Sequence, residues 1–522
     1  MNTMMLLEMA ASGFGSRVAV QNGPDRLTYS ELFGAASAAA GKLRASNAQK
    51  MAVLDVNSLA VPIGLFASGC AGIPFVPLNY RLTGDELERL IARIAPCYLV
   101  AEPERVSGLA DLPGTTVVSR EEFVASARSA GPDSAEWPMD AEDIAVLLFT
   151  SGTTGEPKAA VLRHRHLVSY IFGSVEFGSA DETDAALVSV PPYHVAGVAS
   201  ILSSVYAGRR IVQLPAFSPG EWIDLARSER ITNAMVVPTM LVRIIDALDG
   251  TGSTALADLR ALSYGGARMP LPVIEKAMTL MPNTGFTNAY GLTETSSTIT
   301  VLSPDDHRAA AASDDWTVRR RLGSVGRALP SIEVEIRDED GTVLGPGERG
   351  EIFVRGEQIS GEYLGAGSRI GADGWFQTRD GGWLDADGYL FIEGRIDDVI
   401  VRGGENISPG EVEEVILEDE AVADCAVVGV PDEQWGEAIV AVVVVHEGRT
   451  VTPEEIQERV RQRLRSSRMP ARVEFRDELP YNETGKLLRR KVRADLVAGA
   501  GVAAAGAGFA AASAAGGVAG AR

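Results

Sequence analysis

Leu147-Leu148-Phe149-Thr150-Ser151-Gly152-Thr153-Thr154-Gly155-Glu156-Pro157-Lys158-Ala159-Ala160 is the stretch from which the rest of the chain can be read. The apolar run from Ile144 to Phe149, with a β-branched residue at Val146, reads as a buried strand that stops at polar Thr150. In the loop beyond it, Gly152 and Gly155 allow positive φ and close backbone approach. Thr150, Ser151, Thr153 and Thr154 offer hydroxyls, and Lys158 brings a point charge. Such a loop suits a polyphosphate. An ordinary Gly/Thr turn is the alternative, and the P-loop NTPases are disfavoured because no Lys-Ser/Thr pair follows a glycine at the Walker spacing.

Upstream, helical and extended segments alternate from Val18 to Pro138, which argues for a layered α/β domain. Met1 to Met9 reads as a first amphipathic helix, since no Lys or Arg precedes its Met-Leu run and Glu8 interrupts it, unlike a signal peptide. Thr83, with Glu86 three residues on, is placed to cap a helix that follows Arg81. Downstream, a strand over 185–190 ends at Pro191-Pro192-Tyr193-His194, where two prolines stop a ladder. Further strands are expected over 210–214, 234–237 and 262–264, the last running into Gly265-Gly266-Ala267. In the segment Thr287 to Thr295, a Tyr290 ring can stack on a base, Asn288 can read an exocyclic amine, Thr293 can meet a phosphate oxygen and Glu294 can hold a divalent cation. From Gly323 the texture changes to short strands between Gly and Pro turns, a small β subdomain.

The composition sets bounds on partners. At 522 residues the chain is too long for one core. With Lys+Arg 48 against Asp+Glu 70, the formal charge of −22 argues against nucleic acid or an anionic membrane. Cys70, Cys97 and Cys425 are scattered, so neither a disulfide framework nor a zinc site is indicated, and a reducing cytoplasm fits. The Ala/Gly-rich end, 498–522, reads as a flexible tail rather than an anchor.

Taken in order, the phosphate loop, Pro192-Tyr193-His194, Gly265-Gly266-Ala267, Tyr290-Gly291-Leu292-Thr293-Glu294, Thr378-Arg379-Asp380, Gly394-Arg395-Ile396-Asp397, Gly403-Gly404-Glu405-Asn406 and Thr484-Gly485-Lys486 resemble the motifs of the AMP-forming acyl-CoA synthetases, within the adenylate-forming ligase superfamily. The resemblance covers nearly the whole chain up to the tail. It implies an α/β fold with a large N-terminal domain, 1–396, built of layered α/β subdomains and a small β subdomain. A smaller mobile α+β domain, 397–497, would carry the catalytic lysine.

By the same resemblance, Thr150 to Gly155, Lys158, Gly266, Ala267, Asn288, Ala289, Tyr290, Gly291 and Thr293 would hold ATP or AMP. Asp380 and Arg395 would meet the ribose, Glu294 and Thr150 Mg²⁺, and Asp397 would be the hinge. Lys486, Thr293, Glu294 and His194 would be catalytic. Gly403 and Gly404, Trp435 and Arg81 would meet coenzyme A, and His194, Ala196, Gly197, Val237, Tyr264 and Gly265 would line the acid pocket. The implied activity is ATP-dependent conversion of a carboxylic acid to acyl-AMP and then to acyl-CoA, with an acyl-carrier protein as the alternative acceptor and a non-catalytic nucleotide-binding module as a third reading. Because Asn233 to Thr239 contains no acid to bind an amine, an uncharged medium-chain, alicyclic or aryl acid is favoured; oligomeric state is open, a homo-oligomer being compatible. One departure stands out: Arg379 occupies the place where the family usually has Gly before the ribose Asp.

Overall fold

The computed structural model describes residues 1–131, 133, 135–150, 157–250, 256–432, 434–481 and 487–498, and all counts below refer to these. Two large sheets dominate the N-terminal lobe. The first has nine strands and includes Ala185–Val188, Arg210–Gln213, Asn233–Val236, Ala261–Gly265 and Gly285–Leu292, which run parallel. The second has eight strands and holds Lys50–Leu54, Phe75–Pro77, Cys97–Ala101 and the hairpin Ile144–Thr150 with Lys158–Arg163.

Parallel strands need helical crossovers, and local sequence supplies their ends. Thr28 and Glu31 form a reciprocal capping box that starts helix Tyr29–Ala45, whose buried alanines lie close against helix Ala60–Ala71. That second helix stops at Gly72, where φ is +74° and a Cβ would sit 2.7 Å from Pro138. The helix expected after Arg81 is present as Gly84–Ile94, but the Thr83 side chain makes no capping hydrogen bond. Asp85 and Glu86 instead place negative charge in the first turn, where it favours the helix dipole. The Thr287 segment also differs from a loop: strand Gly285–Leu292 runs through it and pairs with Ala261–Gly265 on one side.

A four-stranded antiparallel sheet, Glu333–Arg337, Gly350–Arg355, Phe376–Leu384 and Leu390–Arg395, forms the expected small β unit. The C-terminal lobe is built on the long hairpin Val422–Asp432 with Gly436–Val445. Both of its faces are apolar, so both are covered. Cys425, Val427, Ile439, Ala441 and Val443 pack towards helices Pro409–Leu417 and Pro453–Arg463, while Ala426, Val428, Val440 and Val442 pack against Leu479, Val492 and Leu496. Polar contacts join the lobes: Arg268 donates to the Gly410 carbonyl at 2.6 Å and pairs with Glu414 at 3.0 Å, and Ser408 donates to the Glu393 carbonyl. Among the described residues no helix is long and apolar enough to cross a membrane. All three cysteines are free and buried.

Candidate active site

The carboxyl ends of parallel strands in the nine-stranded sheet gather three of the eight motifs, as expected of open α/β sheets. Tyr264 pairs with Asn288 and Gly265 with Ala289 across adjacent strands. This close approach explains Gly265, since a Cβ there would lie 2.1 Å from the Ala289 carbonyl oxygen. Gly291 meets the same constraint, 1.8 Å from the Ser297 oxygen. Asn288 donates its amide N–H to the Ser324 carbonyl at 3.1 Å, which orients the side chain and leaves Oδ1 as the acceptor that reading an exocyclic amine requires.

The small β sheet delivers two further residues to this place. Asp380 and Arg395 face each other in the hairpin, and Arg395 Nε lies 3.1 Å from Asp380 Oδ1. Tyr290 donates its hydroxyl to Asp380 Oδ2 at 2.6 Å, bridging the two sheets. Burial, then the adjacent Asp380 carboxylate, pushes the Tyr290 hydroxyl well above the usual phenol range. Arg395 also donates to the Thr378 carbonyl at 2.9 Å, so the carboxylate is held in one place by groups from two sheets.

Glu294 lies in the 3₁₀ turn Thr293–Thr295. Its carboxylate accepts the Tyr363 hydroxyl, and its carbonyl accepts Ser360 N–H at 2.8 Å and Gly361 N–H at 3.1 Å. Immediately after the turn, Ser296 and Ser297 take φ of +56° and +104°, a left-handed stretch in non-glycine residues of the kind that clusters at functional sites. Sequence reasoning passed over Tyr363 altogether, since nothing in Gly361-Glu362-Tyr363-Leu364 marks it. Thr150 and Lys158 form the last pair of the hairpin ladder, with Thr150 Oγ1 3.4 Å from the Lys158 carbonyl. Ser151, Gly152, Thr153, Thr154 and Gly155 lie outside the described residues, as does Lys486.

Between the lobes is a cavity of about 780 Å³. The N-terminal lobe contributes Tyr80, Arg81, Phe217, Val237, Met240 and Arg243; the C-terminal lobe contributes Leu479, Pro480, Tyr481, Leu488 and Lys491. The chain on either side of residues 482–486 therefore faces the strand ends, and Tyr481 bridges to Leu487 across that interval. His194 caps helix Val195–Ala207, with its ring centroid 4.4 Å from that of Tyr193, which in turn meets Tyr80 edge-on at 5.4 Å. Burial first, then the Arg81 cation, hold His194 down to about 4, so the ring is neutral at neutral pH. Its Nε2 is buried without a hydrogen-bond partner among the described residues.

The residues expected to line the acid pocket fall in different places. Tyr264 is fully buried in the core beneath the sheet, packed with Trp222 and Leu241, and its hydroxyl meets His307 Nε2 at 2.8 Å. It therefore presents no surface to a ligand. Of the apolar set expected there, Val237 alone lines the interlobe cavity; Ala196, Gly197 and Gly265 do not. The charged groups lining this interlobe cavity are the cations Arg81, Arg243 and Lys491 and the acid Glu478. Gly403 and Gly404 form the exposed turn of the hairpin Ile400–Arg402 with Glu405–Ile407, at φ of +60° and +84°. Trp435 covers Gly403, its ring carbon 2.9 Å from where a Cβ would stand. Neither glycine nor Trp435 lines the cavity, whereas Arg81 does.

This arrangement, strand-end loops with a polar hairpin and a second lobe closing over them, matches known proteins over nine-tenths or more of the chain. Residues 7–364 match the AMP-binding enzyme family and residues 411–486 the AMP-binding enzyme C-terminal domain, so the chain belongs to the AMP-binding enzymes, the adenylate-forming ligases. It is 34% identical to a feruloyl-CoA synthase of Amycolatopsis sp., over 91% of this chain and 95% of that one. It is 33% identical to an indoleacetate–CoA ligase of Aromatoleum aromaticum, over 90% of this chain and 93% of the relative. Among solved structures, o-succinylbenzoate CoA synthetase from Bacillus subtilis in complex with its acyl-adenylate intermediate superposes with a TM-score of 0.81 at 28% identity, covering 94% of this chain and 98% of that one. ATP-bound MatB from Rhodopseudomonas palustris gives a TM-score of 0.83 at 28% identity, covering 95% and 99%.

Proposed function

We propose that this enzyme is an acid–CoA ligase acting on an aryl acid, with residues 1–396 holding ATP and acid and residues 397–497 forming the lobe that carries Lys486. The observation that carries the reading is the interlobe cavity, in which the chain flanking residue 486 meets Arg81, Val237 and the strand ends. In the first step a carboxylate oxygen of the acid attacks the α-phosphorus of ATP, forming acyl-AMP as the bond to pyrophosphate breaks. Two anions approach one another in that step, and Lys158 and Lys486 offset the charge. Asp380 accepts the ribose hydroxyls, held for that purpose by Tyr290 and Arg395. Neutral His194 bounds the acid site without adding charge. In the second step the thiol of CoA attacks the acyl carbon and AMP leaves, with Gly403 and Gly404 brought to the site by a swing about Asp397.

Glu294 and Thr150 would hold Mg²⁺. The donors are the oxygen ligands a hard cation takes: a Glu294 carboxylate oriented by Tyr363 and the Thr150 hydroxyl. When bound, the ion neutralises phosphate charge.

Relatives named for ferulate, indoleacetate and 2-succinylbenzoate support an aryl acid. Arg81, Arg243 and Lys491 in the cavity are a reason to test acids with a second carboxylate beside uncharged ones. A relative 32% identical is a fatty acid–[acyl-carrier-protein] ligase of Streptomyces coeruleorubidus, which keeps a carrier-protein pantetheine as the second acceptor to test. The deciding experiment is pyrophosphate release over a panel of cinnamic, indoleacetic, succinylbenzoic and medium-chain acids, followed by transfer to CoA or to an acyl-carrier protein. Aryl acids should lead and CoA should be consumed; release that is flat across the panel refutes the ligase reading.

A further inference from the structure

We propose that Arg379 is a positioning residue that holds the Asp397 hinge in the orientation of the first half-reaction, so that the ion pair between them restrains the swing to the second. The inference rests on the ligase reading above and extends it to the control of lobe movement.

Two independent observations meet at this residue. Arg379 takes a φ of +64°, a backbone conformation that a residue with a Cβ disfavours. Its own contacts offset that preference. The Arg379 N–H is accepted by Glu351 Oε1 at 3.1 Å, and its guanidinium Nη2 lies 3.1 Å from Asp397 Oδ1. The next residue, Asp380, pairs with Arg395, two residues before Asp397. The middle of strand Phe376–Leu384 thus grips the start of the interlobe connection twice, once at 395 and once at 397. Only the second grip involves the hinge itself.

The orientation in which this pair forms is the one in which residues 479–481, Leu488 and Lys491 line the cavity while the Gly403–Gly404 turn is exposed. A rotation about residue 397 changes its φ and ψ and carries its carboxylate away from Arg379. The pair is therefore lost in the swing, and its strength adds to the bias against the second orientation. Both side chains are about half exposed, 53% for Arg379 and 46% for Asp397, so the bias is modest and salt-sensitive, up to about five-fold in population.

The test uses the full chain with spin labels at Glu339→Cys and Glu447→Cys, exposed positions on the two lobes; the native cysteines are buried and leave the labels specific. Distance distributions are recorded for the labelled parent, Arg379→Gly and Arg379→Lys, at low and high ionic strength. The second orientation should gain by about two- to five-fold in Arg379→Gly. Arg379→Lys should restore the parent distribution, and added salt should reproduce the gain in the parent but not in Arg379→Gly. With the best acid of the panel, Arg379→Gly should speed thioester formation from synthetic acyl-adenylate by a similar factor while pyrophosphate exchange stays within about two-fold. Identical distributions in the parent and Arg379→Gly overturn the proposal, and should Arg379→Gly fail to fold, salt-independent distributions in the parent do the same. Failure of the ligase reading is a separate result: no acid supports pyrophosphate release, whatever the distances do.

Discussion

Replacing Arg489 by alanine should loosen the C-terminal lobe far more than an exposed substitution would. Arg489 Nη2 meets both carboxylate oxygens of Glu413, at 2.7 and 2.5 Å, and Glu413 also accepts the Val427 N–H at 2.8 Å. The side chains are 22% and 6% exposed, so little solvent screens the pair. Removing one partner leaves a carboxylate stranded against the hairpin, which costs about 3–5 kcal/mol, whereas removing both charges together is close to neutral. Because Arg489 is three residues past Lys486, and Tyr481 on the near side is tied to Asp424 at 2.8 and 3.0 Å, polar contacts anchor both ends of the 482–486 interval. Hydrogen exchange read by mass spectrometry on peptides from Val422–Asp432 and Gly436–Val445 measures the effect, with Ala261–Gly265 as the internal control. At about 1.4 kcal/mol per decade, exchange in the hairpin should rise by about two to three and a half decades in Arg489→Ala and far less in Glu413→Leu/Arg489→Met. A rise below about ten-fold in the single variant, or a double variant as damaged as the single, would refute the reasoning.

Three further outcomes follow from the same geometry. Tyr290→Phe removes a 2.6 Å hydrogen bond to a buried carboxylate, worth about 1.5–3 kcal/mol, and should raise KM for ATP about ten-fold or more while KM for the acid stays put. His164 and His166 are buried and held down to about 4 and about 3, chiefly by burial, against about 6.5 for a free histidine. The unfolded chain therefore binds more protons below that value. Stability should be complete above about pH 6.5 and fall towards pH 4 by up to about 1.4 kcal/mol per pH unit for each histidine; a urea midpoint unchanged between those limits contradicts this. Gly265→Ala forces a Cβ to 2.1 Å from the Ala289 oxygen, so adjacent strands must part; a loss of about 1–3 kcal/mol and weakened AMP binding are expected by calorimetry.

Much of this protein was legible before any coordinate. The strand over 144–150, the short strands of the β unit and the eight ordered motifs depend on local pattern, which hydrophobic period and turn chemistry record directly. The family of the chain was legible for the same reason, since a catalytic loop keeps its residue types wherever its strand is placed.

Which side of a strand a residue serves was settled only in three dimensions. Alternation separates Tyr264 from Ser263, but a central strand is covered on both faces, so period alone does not say which face meets ligand and which meets Trp222 and His307. Tyr363 reaches Glu294 across 69 residues, Arg379 reaches Asp397 across 18, and Arg489 reaches Glu413 across 76. Local sequence fixes an element's period and its ends; packing of one element on another decides the partner of a buried charge, because a desolvated ion is stable only where its counter-charge happens to be folded against it.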